Sequence, residues 1–176
     1  MIRDAIESDL ATIVDIYNAS IPGRLATADT EPVSVESRRG WLRDHDAARY
    51  PLWVLEHHGR VVGWLSLGKF YGRPAYAATA EVSVYVDPAS HRGGVATELM
   101  EHALARASGL GLSTLLGFIF GHNERSLSLF QKFGFARWGH LPRVAVLDGI
   151  ERDLLILGRR IDGASPNVAS LSPRLG

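Results

Sequence analysis

The stretch AEVSVYVDPASHRGGVAT, residues 80–97, predicts a strand, a sharp turn and the first turn of a helix. Small apolar residues alternate with larger polar ones from Glu81 onward, which is the period-two pattern of a strand. Pro88 ends the strand, because proline has no N–H for a ladder and restricts the residue before it. The segment HRGGVA, residues 91–96, then opens the helix.

Two adjacent glycines directly before a helix favour an anion site. Glycine lets backbone N–H groups crowd around an anion, the helix N-terminus adds free donors and a favourable dipole, and Arg92 adds a full charge. We therefore predict a cradle for a phosphate or a diphosphate, with a plain turn as the alternative. The chain has neither GxxxxGK[ST] nor GxGxxG, so this is not a Walker-type or dinucleotide-binding loop.

Composition excludes several classes of function. The 176 residues carry a formal net charge of zero, which argues against a nucleic-acid partner. The chain has no cysteine, which excludes disulfides, thiolate metal sites and a cysteine nucleophile. Its seven histidines show no metal-binding spacing, so we expect no metal. With no signal-peptide pattern and no long apolar run, we expect a cytoplasmic protein that does not enter the membrane.

Periodicity along the chain predicts one α/β domain over residues 1–161. The predicted order of elements is β-α-α-β-β-β-α-β-α-β-β, which requires a mixed sheet. Asn123 is placed to begin the last helix, and the last two strands are predicted at residues 135–141 and 152–157. Residues 162–176 are rich in Ser, Pro and Gly without periodicity, which predicts a flexible C-terminal tail.

Three segments together resemble one known family. They are HRGGVA, NERS at residues 123–126, and KFGF at residues 132–135. In this order, with a helix and a buried strand between them, they resemble the GNAT superfamily of N-acetyltransferases over roughly residues 2–160. The resemblance implies a single-domain, largely antiparallel central sheet that is splayed at the cofactor site and flanked by helices. It also implies acetyl-CoA as the co-substrate.

The loop fits the family pattern at all but its first position. The pattern is Gln/Arg-x-x-Gly-x-Gly/Ala, and the chain matches it at Gly94 and Ala96 and departs from it at His91. The departure changes little of what is implied, because such a loop works mainly through backbone amides and Arg92 keeps a cation beside them.

Four further fragments are similar to a narrower branch. YNAS from residue 17, TEPVS from residue 30, GRPAY from residue 72 and AEVSVYV from residue 80 look like the phosphinothricin and methionine-sulfoximine acetyltransferases. This likeness implies a small amino acid as the acceptor and a homodimer as the assembly. Two alternatives stay open: acetylation of a protein N-terminus or another amine, and a non-catalytic acyl-CoA-binding module.

The resemblance assigns roles on the acceptor side of the reaction. Glu81 would be the general base, against the alternative of a strand carboxylate in an ion pair. Arg73 would pair with a substrate carboxylate, and Phe70 and Tyr76 would wall the pocket. Relatives often carry a Phe-Glu pair where this chain has Ala28 followed by an aspartate, so Ala28 would change the shape of the site.

On the cofactor side, a backbone N–H near Val84 or Tyr85 would meet the acetyl carbonyl. Many relatives place a tyrosine, as general acid for the departing thiolate, where this chain has Phe130. The thiolate would then leave unprotonated or take its proton from Tyr85 or a water. The full set of cofactor-binding residues that the resemblance implies is Val84, Tyr85, Val86, Arg92, Gly93, Gly94, Val95, Ala96, Thr97, Asn123, Ser126 and Phe130.

Overall fold

The computed structural model describes residues 1–161, and the predicted tail at 162–176 lies outside the described residues. The elements follow one another in the predicted order. They are β1 (Ile2–Asp4), α1 (Leu10–Ser20), α2 (Val35–Arg43), β2 (Leu52–His57), β3 (Arg60–Lys69), β4 (Thr79–Val86), α3 (Val95–Ala107), β5 (Thr114–Phe120), α4 (Glu124–Lys132), β6 (Ala136–Leu147) and β7 (Ile150–Arg160).

The strands form one sheet in the order β1-β2-β3-β4-β5-β7-β6. Every neighbouring pair is antiparallel except β4 and β5, which are parallel. These two strands pair only from Thr79 and Thr114 to Glu81 and Leu116, and beyond that point they separate. The mixed, largely antiparallel sheet and its splay at β4 are therefore confirmed.

The two faces of the sheet are covered by different helices. On one face Ala80 and Val82 of β4 pack in the main core with Leu99 and Met100 of α3. On the other face α1 and α2 pack near Trp64 of β3. Because side chains alternate along a strand, β4 sends its apolar residues towards α3 and its larger polar residues towards α1 and α2.

The last two strands are longer than the sequence predicted, because they form one continuous hairpin. Asp148 and Gly149 form its two-residue turn, and both have positive φ (49° and 78°), as a type I′ turn requires. We predicted an early end to the first strand near Pro142. The strand continues because its register shifts between Leu141 and Ala145, and such an irregularity accommodates a residue without an N–H.

No helix among residues 1–161 is both long enough and apolar enough to cross a membrane.

Candidate active site

Three adjoining cavities follow β4 and share its residues. The loop cavity, about 400 Å³, lies against residues 91–97; the strand cleft, about 460 Å³, lies between β4 and β5. The aromatic pocket, about 240 Å³, lies on the face covered by α1 and α2. Tyr85 lines all three cavities, and Glu81 lines the strand cleft and the aromatic pocket. The cavities therefore follow one another from the glycine loop to Glu81.

The loop cavity has the features of an anion cradle. Gly94 caps α3 in the left-handed region (φ 79°) and supplies no side-chain acceptor. The first hydrogen bond of the helix runs from Glu98 N to Gly94 O, 2.9 Å. The N–H groups of residues 95–97 precede that bond and so have no acceptor within the helix. With exposed Arg92 and Arg125 beside them, these donors suit a diphosphate.

His91, the position that departs from the family pattern, links the strand to α4. Its Nε2 lies 3.2 Å from Val86 O, and its Nδ1 lies 3.5 Å from Arg125 Nη1. A carbonyl oxygen can only accept, so Nε2 carries the proton and Nδ1 accepts from Arg125. The imidazole therefore holds Arg125 at the rim of the loop cavity.

The strand cleft is lined on one side by backbone donors of β4. Two backbone groups at the end of β4 face β3. Asp87 N donates to Val62 O at 2.9 Å, and Tyr85 O lies 3.0 Å from the position that a Cβ on Gly63 would occupy. Because N–H groups alternate in direction along a strand, those of Val84 and Val86 face the opening. Of the two predicted oxyanion donors, Val84 is thus the one with its N–H directed into the cleft.

The loop between α1 and α2 crosses these cavities and is held by side chains from other elements. Asn123 is buried; its Oδ1 accepts from Ser126 N at 3.2 Å and its Nδ2 donates to Leu25 O at 3.0 Å. Tyr85 Oη donates to Ala26 O at 3.1 Å. Asn123 and Ser126 both line the loop cavity and the cleft, but the amide of Asn123 is already used to cap α4 and to hold the loop.

Phe130 forms the apolar side of the strand cleft. It is 3% exposed and packs so closely on Gly117 that a Cβ there would overlap the ring. It has no ionisable proton.

Burial raises the pKa of the Tyr85 hydroxyl well above its ordinary value, so this tyrosine is a poor acid at neutral pH.

Glu81 is a half-buried carboxylate without a counter-ion. No hydrogen bond or ion pair within residues 1–161 engages its oxygens, and burial alone raises its pKa above the ordinary value. A carboxylate with a raised pKa is a better proton acceptor near neutral pH. The alternative of a structural ion pair does not apply in the described part of the chain.

The aromatic pocket contains a cation that sequence reasoning missed. Arg38 of α2 lines the pocket, with its guanidinium over the Tyr17 ring at 5.1 Å and its Nη2 3.1 Å from Asp29 Oδ2. Tyr17 Oη donates to the same Asp29 oxygen at 2.5 Å. Its partner Asp29 lies in the loop before α2, which has no periodicity, so the sequence offered no signal that the two side chains meet.

Of the four predicted substrate residues, one lines a cavity. Ala28 lines the strand cleft. Phe70 stands 5.3 Å from Tyr76 and 6.4 Å from Phe118, ring centre to ring centre, and Phe118 lines the cleft. Arg73 is exposed at the start of a short 3₁₀ helix and lines none of the three cavities. The roles of these residues remain predictions.

Within residues 1–161, no group of three or more His, Asp or Glu side chains is arranged to hold a metal ion.

Comparison with known proteins agrees with this geometry. The family model described as "Acetyltransferase (GNAT) family" matches residues 11–135. A Bacillus subtilis (strain 168) protein, provisionally named a phosphinothricin acetyltransferase, is 50% identical over 91% of this chain and 98% of its own length. A Pseudomonas aeruginosa L-methionine sulfoximine/L-methionine sulfone acetyltransferase is 30% identical over 92% of this chain and 94% of its own length.

A solved structure supports the same assignment. A GNAT superfamily phosphinothricin acetyltransferase from Sinorhizobium meliloti, in complex with acetyl-CoA, superposes with a TM-score of 0.89 at 25% identity. The match covers 99% of this chain and 97% of that one. The resemblance that the sequence motifs indicated is confirmed. The chain belongs to the acetyltransferase (GNAT) family, and it is an N-acetyltransferase that takes its acetyl group from acetyl-CoA.

Proposed function

We propose that the protein acetylates the amine of a small amino-acid-like substrate of the phosphinothricin, methionine sulfoximine or methionine sulfone type, with Glu81 as general base. One observation carries this proposal: Glu81 is half-buried, has no counter-ion in the described chain, and lines both the strand cleft and the aromatic pocket. An amine in the pocket would thus meet a proton acceptor and an acetyl group in the cleft together.

The chemistry removes two protons from the ammonium nitrogen and exchanges one bond at the acetyl carbon. Glu81 takes a proton from the ammonium group, directly or through a water, and frees the nitrogen lone pair. The nitrogen then forms a bond to the acetyl carbonyl carbon and loses its second proton to water, the carbon–sulfur bond breaks, and CoA leaves as a thiolate. The Val84 N–H is the donor for the oxygen that becomes negative in the transition state. With Phe130 beside the cleft and Tyr85 a weak acid, we propose that water protonates the thiolate.

The donor is held mainly by the backbone in this proposal. The free N–H groups at the start of α3 and the charge of Arg92 bind the diphosphate, and the N–H of Val86 binds the pantetheine arm. The proposed contact residues are Val84, Tyr85, Val86, Arg92, Gly93, Gly94, Val95, Ala96, Thr97, Asn123, Ser126 and Phe130.

The size of the aromatic pocket supports a small acceptor. Its volume of about 240 Å³ lies below the roughly 300–1,000 Å³ that is typical of sites for drug-sized ligands. The relative from P. aeruginosa is named for two amino-acid derivatives, methionine sulfoximine and methionine sulfone. We place Ala28, Phe70, Arg73 and Tyr76 at the outer end of the acceptor site. A peptide N-terminus, the alternative from the sequence, would need a longer open groove.

The homodimer implied by the resemblance is also a proposal. β6 lies at the edge of the sheet and exposes Trp138, Val144 and Val146. An exposed apolar edge strand is avoided in monomers, which favours a second copy as its cover. Sedimentation equilibrium of wild type and Val146→Lys tests this: a dimer that the lysine dissociates supports it, and a wild-type monomer contradicts it. The expected cytoplasmic location stays a prediction.

A thiol-release assay tests the function. Purified protein and acetyl-CoA are offered phosphinothricin, methionine sulfone, methionine sulfoximine, polyamines and short peptides. We expect release of free CoA with the amino-acid derivatives and little with peptides. Release with peptides alone would move the function to protein N-termini. Binding of acetyl-CoA without release for any amine would leave only the acyl-CoA-binding module.

A further inference from the structure

We propose that Arg38 binds the carboxylate of the acceptor and so makes the enzyme selective for amino acids over simple amines. The inference rests on the proposed function and adds the residue that recognises the acceptor. The aromatic pocket contains one negative side chain, Glu81, that suits the ammonium group and one positive side chain, Arg38, that suits the carboxylate.

The ionisable groups of the pocket match a zwitterion. Among the described residues that line it, Arg38 is the one cation and Glu81 the one carboxylate; the other lining side chains are apolar, aromatic or hydroxylic. Glu81 comes from the sheet and Arg38 from α2, so the two charges enter from different walls. A ligand with an ammonium group at one end and a carboxylate at the other neutralises both charges as they leave water.

Arg38 has donors to spare for a ligand. Its guanidinium has five N–H groups, and within the described chain it makes one hydrogen bond, from Nη2 to Asp29 Oδ2. The Tyr17 ring, whose centroid is 5.1 Å from the guanidinium carbon, holds the cation by a cation–π contact. Since the side chain is 30% exposed, a carboxylate in the pocket can form a second, charge-assisted pair with it.

Asp29 orients this cation from the side of the loop. Its carboxylate accepts from Arg38 and from Tyr17, and its own N–H donates to Thr27 Oγ1 at 3.1 Å. The partner of Arg38 is thereby fixed to the loop that crosses the site. Arg39, the next residue, is paired with Glu7 and Glu36 outside the pocket, and so provides a matched control on the same helix.

The test compares methionine sulfone with its carboxamide, which keeps the amine and removes the acid. In a thiol-release assay we measure the ratio of kcat/KM for the sulfone to kcat/KM for the carboxamide. Dividing the ratio of a variant by the ratio of wild type cancels the difference in intrinsic reactivity between the two substrates. Loss of a charge-assisted pair predicts that Arg38→Gln lowers the ratio about tenfold to a hundredfold, chiefly through KM for the acid. Arg38→Lys keeps the charge but loses the two-pronged guanidinium geometry, so it should lower the ratio severalfold. Arg39→Gln leaves it unchanged.

Each other outcome decides against Arg38 or against the function as a whole. An unchanged ratio in Arg38→Gln would show that Arg38 does not bind the carboxylate. A collapse in Arg73→Gln instead would assign the carboxylate to the exposed arginine. If Arg38→Gln does not fold, an unchanged ratio in Arg38→Lys overturns the inference. Absence of thiol release from wild type with every amine contradicts the proposed function itself.

Discussion

Glu81 and Leu116 are the last paired residues of β4 and β5. The carboxylate therefore stands where the sheet opens, beside the cleft on one side and the aromatic pocket on the other. One strand thus supplies both the proton acceptor and, three residues later, a backbone N–H directed into the opening.

Removal of the carboxylate tests the proton transfer. Glu81→Gln should lower kcat about 10²- to 10⁴-fold at neutral pH, because the amide cannot accept the ammonium proton. The dissociation constant of acetyl-CoA, measured by isothermal titration, should stay within about twofold. Glu101→Gln on α3, an exposed residue away from the three cavities, is the control and should keep wild-type turnover. Equal turnover in both variants would remove Glu81 from the mechanism.

The raised pKa of Glu81 predicts a pH dependence of stability. Below its ordinary value of 4.5 the carboxyl is protonated in the folded and the unfolded chain. Above 4.5 the unfolded chain loses the proton while the folded chain keeps it up to the raised pKa, so the wild-type free energy of unfolding falls relative to Glu81→Gln as pH rises. Urea titrations across this window should show the difference growing and then levelling off. A difference that does not change with pH contradicts the burial argument.

The same raised pKa predicts the acidic limb of the rate profile. Turnover requires ionised Glu81, so kcat/KM should fall with decreasing pH through an apparent pKa above 4.5. The limb should be absent from the residual activity of Glu81→Gln. A limb that persists unchanged in the variant would belong to another group, such as the substrate ammonium.

The conformation of the glycine loop predicts a specific effect on acetyl-CoA. Gly94 has φ 79° with open space around its Cβ position, and Gly59, in the turn between β2 and β3, has φ 75° with the same open space. Alanine at either position should cost about 1–2 kcal/mol of stability because of the left-handed backbone. Only Gly94→Ala should also raise KM for acetyl-CoA, roughly fivefold to thirtyfold if the loop relaxes. An equal KM in the two variants would contradict the cradle.

The two contacts of the Asn123 amide can be separated by substitution. Asn123→Ala removes the α4 cap and should cost about 1–2 kcal/mol in urea titration, in addition to releasing the loop at Leu25. Asn123→Asp keeps the acceptor for Ser126 N but removes the donor to Leu25 O. The aspartate variant should therefore keep more of the stability than the alanine variant while its KM for acetyl-CoA rises. Ser34→Ala, which removes the cap of α2, should lower stability without changing that KM.

Local patterns were enough to predict most of the fold. The alternation from Glu81 onward, the break at Pro88 and the capping position of Asn123 act within a few residues, and the structure has all three. The hairpin of β6 and β7 was only partly predicted, because Pro142 suggests an end that the shifted register in fact accommodates.

The acceptor side was harder to predict, because it depends on distant segments. Arg38 lines the aromatic pocket, where its guanidinium contacts Asp29 of the loop before α2 and Tyr17 of α1. Arg73 was predicted from motif likeness, but it lies on the surface at the start of a short helix. Sequence spacing carries no information about such contacts, whereas the glycine loop and Glu81 lie within one continuous segment.

A crystal structure with CoA and methionine sulfone bound together measures the central relationship most directly. We predict the amine nitrogen about 2.6–3.2 Å from a Glu81 carboxylate oxygen, or one water away, and the diphosphate on the N–H groups that begin α3. A ternary complex in which the amine binds outside the aromatic pocket, with no path to Glu81, would contradict the account.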